Sequence, residues 1–306
     1  MAHAQQGQPH SSLFKQIVKV FRKGVFVLNS SRLNVFSTKE FAGEKSNRSD
    51  SDNGLYVAFV QKAVRDYHAF KNFKRHPSYQ AILEHVSKEA GGKYLDIVKI
   101  QSPAFLNQIE KCKDNDLIGN PIKHFYYGIG NISPTTLRYI KVASDLQKHF
   151  GTNIGKKIAE IGVGYGGQLL INDRLLDIAQ YHLYDLPPVL NLASKYLESY
   201  ILSSSYKVTT LNQSSGEDFY DLVISNYAFS ELPSQLQLKY IEKILSKSRK
   251  GYLTMNSGLE NSGSTNNKLS VSELRKFLPA FEIFDESPRT SPNNYIIVWG
   301  HNVSTR

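Results

Sequence analysis

The chain of 306 residues contains a single cysteine, Cys112, and has no apolar run long enough to cross a bilayer. One cysteine excludes an internal disulfide framework and a thiolate metal cluster, and with no secretory signal it points to a reducing, cytoplasmic setting. The sequons at Asn47, Asn131, Asn212 and Asn302 then carry little meaning, because glycosylation needs a secreted chain. Residues 1–12, MAHAQQGQPHSS, lack the basic start and apolar block of a signal peptide and read as a disordered or appended leader. His, Asp and Glu fall at no recognisable ligand spacing, so no metal is expected, and the one glycine-rich turn lacks the Gly-Lys-Ser/Thr ending of a phosphate loop.

Acidic residues are scarce at the front of the chain. Residues 1–76 hold 13 Lys or Arg against 5 Asp or Glu, whereas 77–306 hold 24 against 22, so the formal charge of +10 belongs to the N-terminal region. Leu13, Phe14, Ile17, Val18, Phe21 and Val25 recur at helical spacing, with Lys15, Lys19, Arg22 and Lys23 on other faces. This pattern predicts a basic amphipathic helix over 13–28. Such a helix suits peripheral contact with an anionic membrane surface, but an ordinary helix packed on the body with solvated lysines is the favoured reading. The cluster Lys71, Lys74, Arg75 and His76 is not accompanied by any nucleic-acid module, and no nucleic-acid partner is expected.

Two regions separate along the chain. From about Leu55 to Phe150 the pattern is mainly helical: LYVAFVQKAVRDYHAF, then PSYQAILEHVSKE ended by Gly91 and Gly92, then TTLRYIKVASDLQKHF between Ser133-Pro134 and Gly151. After Lys156 strands alternate with helices. Strands are expected at 157–162, 180–185, 206–211, 219–226 and 250–256, with helices at 167–177, 188–201, 234–246 and 270–278 and closing strands at 281–286 and 294–300. The fold class is therefore α/β, a mostly parallel Rossmann-like sheet ending in an antiparallel hairpin, behind a basic, mainly helical region at 13–150. The low-complexity stretch 256–267 follows a strand's carboxyl end and is expected to be a mobile loop near the site.

The chemistry concentrates in KIAEIGVGYGGQ, 157–168. Ile158, Ala159 and Ile161 suit a buried strand, and Gly162, Gly164, Gly166 and Gly167 clear side chains from a turn that opens a helix. Gly162, Gly164 and Gly167 also satisfy the dinucleotide fingerprint, so the glycines alone leave nicotinamide and S-adenosylmethionine (SAM) both open. Glu160, two residues before the first glycine, decides more: a carboxylate there suits a sulfonium and an ammonium and is unwelcome to a pyrophosphate. Asp185, 23 positions past Gly162 at the end of YHLYDLPP, suits ribose hydroxyls of either cofactor. In DLVISNYAFSELP, 221–233, a buried strand delivers Ser225, Asn226, Tyr227, Ser230 and Glu231 to the same carboxyl edge.

The Glu-x-Gly-x-Gly-x-Gly spacing at 160–166 resembles the first motif of class I SAM-dependent methyltransferases. A narrower resemblance, over 119–151, 160–168, 184–197, 225–233 and 251–257, is to the sugar O-methyltransferase family of bacterial polysaccharide loci, although Val163 stands where glycine is usual. It implies the seven-stranded methyltransferase sheet with an antiparallel last strand in 151–306, SAM as cofactor, a sugar, nucleotide-sugar or glycan acceptor, and a helical wall before the glycine turn. A sugar hydroxyl is a poor nucleophile, so a general base is useful. Glu231 is the first candidate and His124 the second. Glu160, Gly162, Gly164, Gly166, Gln168, Asp185, Ser225 and Asn226 are expected around the cofactor. Tyr127 and Arg138 are expected to frame its carboxylate or the acceptor, and Asn212 to meet the adenine edge. Outside this reading stand an NAD(P)-dependent oxidoreductase and a non-catalytic SAM-fold module that binds an anionic membrane or glycan.

Overall fold

A computed structural model describes residues 54–259 and 267–301. The predicted basic helix at 13–28, the leader and most of the 256–267 loop lie outside the described residues. At the front, helix Gly54–Arg65 stops at Asp66, whose side chain accepts from the Ala69 amide and starts a second helix, Tyr67–Lys71. The helix expected from 77 to 89 is not formed: one turn, Pro77–Gln80, gives way to an irregular segment up to Ser87. Ser87 then caps a new helix, Lys88–Gln101, which runs straight through Gly91 and Gly92. The two glycines are not a stop signal. An ideal Cβ at Gly91 would stand 2.2 Å from the Tyr126 hydroxyl, so the glycine admits the short hairpin β1 (His124–Tyr126) and β2 (Gly130–Ile132) against the helix.

The second half follows the predicted alternation closely. After helix Pro134–Phe150, capped by Ser133 and closed by Gly151, come β3 (Lys157–Ile161), helix Gly167–Leu175, β4 (Gln180–Tyr184), helix Pro187–Leu197, β5 (Ser205–Thr209) and β6 (Tyr220–Asn226). Helix Ser234–Lys243, β7 (Ser248–Met255), helix Val271–Phe277, β8 (Phe281–Asp285) and β9 (Tyr295–Trp299) complete it. The sheet order is β5-β4-β3-β6-β7-β9-β8, parallel through β7, with β9 antiparallel to both β7 and β8. This is the Rossmann-like arrangement of the seven-stranded methyltransferase sheet.

Strand periodicity divides the core between the two faces. Ile158, Leu222, Ile224, Tyr252, Ile296 and Val298 belong to one apolar cluster, which continues into Val60, Leu137, Leu146 and Leu190 of the covering helices. Ala159, Ile161, Val223, Leu253, Ile297 and Trp299 belong to the other, with Ile241 and Leu274. Residues on both sides of position 150 thus share one core.

Candidate functional site

The strand order reverses at β3, with β4 on one side and β6 on the other, and the carboxyl ends of these strands open into a cavity of about 1080 Å³. Ligands bind at such a switch point because diverging connections leave a crevice there. Glu160, Gly162, Gly164, Asp185, Asn212 and Asn226 all line this cavity, as do Arg138 and Glu231. Three segments far apart in sequence are brought together as expected.

Glu160 is only 2% exposed, and its Oε2 accepts a 2.8 Å hydrogen bond from the Tyr181 hydroxyl. Burial pushes its carboxyl up to about 8, against the lowering effect of that bond and with a further push from Asp185. Asp185 is partly exposed at the tip of β4. Its Oδ2 accepts from the amides of Val163 (2.7 Å) and Gly164 (3.4 Å) and its Oδ1 from Leu186 (2.7 Å), so it closes the glycine turn like a clasp. Desolvation raises it to about 6 despite these three donors.

The glycines do different work. Gly162, at φ +78°, admits Ala228, whose Cβ lies 1.9 Å from where a side chain would begin, and Gly164, at φ +54°, lies under Leu83. Gly166 is the left-handed N-cap of helix Gly167–Leu175 and packs on Leu197. A Cβ on Gly167 would stand 2.6 Å from the rings of both Tyr139 and Tyr165. Neither glycine has room for a side chain, and Gly166, Gly167 and Gln168 do not line the cavity. Val163 is absent from the left-handed residues and is buried in the core, so valine is tolerated where glycine was expected.

Other expected residues are placed elsewhere. Tyr127 is 92% exposed at the hairpin turn, away from the cavity wall. His124 lines a separate hollow of about 60 Å³ with Lys74, Glu84 and Thr135, so it cannot act on a ligand in the main cavity. Both mistakes have one cause: KHFYYG forms a hairpin docked by Tyr126 on the Lys88 carbonyl (3.0 Å), on the outer side of the wall. Ser225 is fully buried and structural, donating to the Ile161 carbonyl (2.9 Å) and accepting from the Phe229 amide (3.1 Å). Gln168 is buried too, donating to the Tyr139 carbonyl and Asn172, with its Oε1 3.5 Å from the Asn226 amide nitrogen.

Arg138 donates to the Leu83 carbonyl (3.0 Å), which pins the irregular 81–87 segment across the glycine turn. Glu231 accepts from Asn256 Nδ2 (3.2 Å). Sequence reasoning missed the far end of the cavity, where Tyr94, Lys141, Tyr252, Glu286 and Asn294 are lining residues. Lys141 is 5% exposed and its Nζ donates to Asp145 Oδ2 (2.5 Å), which also accepts from the Tyr252 hydroxyl (2.5 Å). Lys141 and Asp145, four apart inside an apolar helix pattern, were the available signal for a buried pair. Among the described residues no group of three or more His, Cys, Asp or Glu is arranged to hold a metal ion, and no helix is long and apolar enough to cross a membrane.

No protein-family profile matches the chain, and no curated protein matches it. Among solved structures it is similar to the methyltransferase domain of bacterial CtHen1, at 13% identity and TM-score 0.39 over 53% of this chain and 96% of that one. It is also similar to magnesium protoporphyrin IX methyltransferase from Synechocystis with bound S-adenosylhomocysteine (SAH), at 14% identity and TM-score 0.38 over 67% of this chain and 97% of that one. Likeness at this level adds nothing on cofactor or substrate, and the fold assignment rests on the strand order itself.

Proposed function

We propose that the chain is a SAM-dependent methyltransferase whose acceptor is a hydroxyl of a sugar or of a nucleotide- or lipid-linked glycan. One observation carries the cofactor half: the buried Glu160 and the clasping Asp185 stand at the tips of adjacent parallel strands on one cavity, beside a glycine turn that lines it through Gly162, Val163 and Gly164. A carboxyl held up to about 8 by burial gains most from a cation, and the methionine ammonium supplies one. Asp185 is offered to the ribose hydroxyls and Asn212 to the adenine edge, while Leu186, Leu211 and Tyr240 give that end of the cavity apolar walls suited to a flat base. Arg138 serves a carboxylate of the cofactor or the acceptor.

The helix start weighs against the nicotinamide alternative, because a dinucleotide's pyrophosphate needs the amides there turned to the ligand, and Gly166, Gly167 and Gln168 do not line the cavity. The membrane-module alternative depends on residues 13–28 and gains nothing from the described structure.

When bound, SAM supplies an already activated methyl group, which leaves the protein to align an oxygen and remove its proton. Glu231, steadied by Asn256 at the cavity wall, is the group to accept that proton, and His124 drops out because it faces another hollow. Sugar as acceptor is supported by the sequence resemblance and by the room left in the cavity beyond the strands that would hold the nucleoside. Calorimetric titration with SAH, with NADH in parallel and Asp185→Ala as control, tests the reading. Saturable SAH binding that weakens in the variant is expected, and NADH binding alone would overturn it. Transfer of labelled methyl groups to a set of nucleotide sugars then tests the acceptor.

A further inference from the structure

Gln168 and Asn172 stand one turn apart on helix Gly167–Leu175, Tyr181 lies on β4 and Glu160 on β3, and none of the four is more than 2% exposed. Hydrogen bonds join them in one line. Gln168 Nε2 donates to the Tyr139 carbonyl (3.1 Å) and to Asn172 Oδ1 (2.9 Å). Asn172 Nδ2 donates to the Tyr181 hydroxyl (3.1 Å), and that hydroxyl donates to Glu160 Oε2 (2.8 Å).

The direction of the line is forced from its first member. A backbone carbonyl only accepts, so the Gln168 group facing Tyr139 is the nitrogen, and its second N–H meets Asn172. Asn172 must then present oxygen to Gln168 and nitrogen to Tyr181. The Tyr181 oxygen accepts from that nitrogen, which leaves its single proton for Glu160. Oε2 is thereby held as an acceptor, and any proton carried by Glu160 resides on Oε1. Oε1 accepts no hydrogen bond from the described residues, and it is not among their fully enclosed unpartnered atoms, so it keeps contact with the cavity that Glu160 lines.

We propose that Tyr181, oriented by Gln168 and Asn172, is a positioning residue for the cofactor: it holds Glu160 by one oxygen and leaves the other for the ammonium. The proposal rests on the methyl-transfer reading and gives Gln168, which does not reach the cavity, a part in it at two removes. The groups facing Glu160 are Tyr181 and Asp185 from β4 and Tyr139 from helix Pro134–Phe150. Burial pushes both phenols up, so they stay neutral near pH 7. Burial also raises Glu160, the bond from Tyr181 opposes that, and the charge of Asp185 adds to it. Tyr181 thus favours the ionised carboxylate that an ammonium requires.

The test compares SAH with methylthioadenosine, which has the nucleoside and no amino-acid end, by calorimetry on the full chain. Asp185 is offered to the ribose of both ligands, so the ratio of the two affinities reports the amino-acid end. Tyr181→Phe should leave methylthioadenosine binding unchanged and weaken SAH about tenfold to a hundredfold at pH 7, because losing a bond to a charged group delays ionisation by about one to two pH units. The deficit should narrow as pH rises toward about 8.5. Equal SAH affinity in the variant, a deficit shared by methylthioadenosine, or a deficit constant across the range overturns the proposal. If the variant does not fold, the unaltered chain isotope-labelled at tyrosine Cζ is titrated by NMR. One resonance must then move with the pH profile of SAH affinity and stop moving in Glu160→Gln, and the lack of such a resonance overturns the proposal equally. Failure of the unaltered chain to bind SAH would instead sink the cofactor reading, and the proposal with it.

Discussion

Glu160 makes a quantitative prediction in two directions. In the unfolded chain its carboxyl titrates near 4.5, and in the fold burial raises it to about 8, so the protein binds a proton more tightly folded than unfolded. A raised carboxyl leaves stability untouched below pH 4.5, subtracts from it as pH climbs through the interval, and reaches its full penalty above pH 8. At about 1.36 kcal/mol per pH unit the penalty is about 3 kcal/mol at pH 7, with a ceiling of about 5 kcal/mol in alkaline solution. Glu160→Gln keeps an oxygen for Tyr181 and abolishes the titration, so its unfolding free energy should exceed that of the parent by a margin that grows from pH 5 to pH 8. SAH binding should show the reverse. At pH 7 the free protein holds about 0.9 proton on Glu160, and an arriving ammonium expels it. The calorimetric enthalpy should then vary with the ionisation enthalpy of the buffer, and affinity should rise about fiftyfold from pH 6 to pH 8. In the Gln variant both effects should vanish and affinity should fall. A parent protein that binds SAH without proton release, at constant affinity across that range, would refute both the burial argument and the ammonium assignment.

Further outcomes follow from single contacts. Asp185→Ala should weaken SAH binding by about 1.5–3 kcal/mol through lost bonds to a charged acceptor, measured by calorimetry, and unchanged affinity would remove it from the ribose. Glu231→Gln should leave SAH binding intact and lower methyl transfer by about a hundredfold or more, and a fully active variant would remove Glu231 as the base. The neighbouring glycines of helix Lys88–Gln101 should respond with opposite sign in denaturant unfolding. Gly91→Ala collides with Tyr126 and should cost about 1–2 kcal/mol, whereas Gly92→Ala meets its nearest atom at 3.9 Å and should stabilise by about 0.5–1 kcal/mol.

The second half of the chain was legible because each strand carries its own period and each turn its own stop. Strand β3 begins at Lys157 and β6 ends at Asn226, as the apolar runs predict, and the closing pair β8 and β9 lies within a residue of expectation. The front half was less legible because its helices are set by distant partners. Gly91 marks the approach of Tyr126, thirty-five positions on, and nothing local distinguishes that glycine from a helix terminator. The same holds for the site. Glu160, Asp185 and Asn226 announce themselves by standing at strand tips, whereas Glu286 and Asn294 sit in a stretch, ESPRTSPNN, that looks like an ordinary turn. Their hydrogen-bond network is closed by Tyr227, which arrives from another strand. His124 and Tyr127 misled for the opposite reason: aromatic and imidazole groups beside a glycine suggest a ligand wall, but here they belong to a hairpin that sends Tyr127 to the surface and His124 to a separate small hollow.

Helix Pro134–Phe150 contributes Leu137, Ile140 and Leu146 to the same cluster as the strands it covers, and helix Gly54–Arg65 is tied to Pro187–Leu197 by Lys195, which donates to the Ala63 and Val64 carbonyls. Where the sequence changes character at residue 150, the packing does not. A protease that cut the 151–156 link should leave two halves that stay together until denaturant separates them. Expression of 151–306 alone would leave one face of the sheet only partly covered, by helices Gly167–Leu175 and Pro187–Leu197, prone to clumping and lacking the cavity wall that carries Arg138. In engineering terms the helical front is not an accessory that can be exchanged between scaffolds, and any chimera must carry helix Pro134–Phe150 together with the strands it covers.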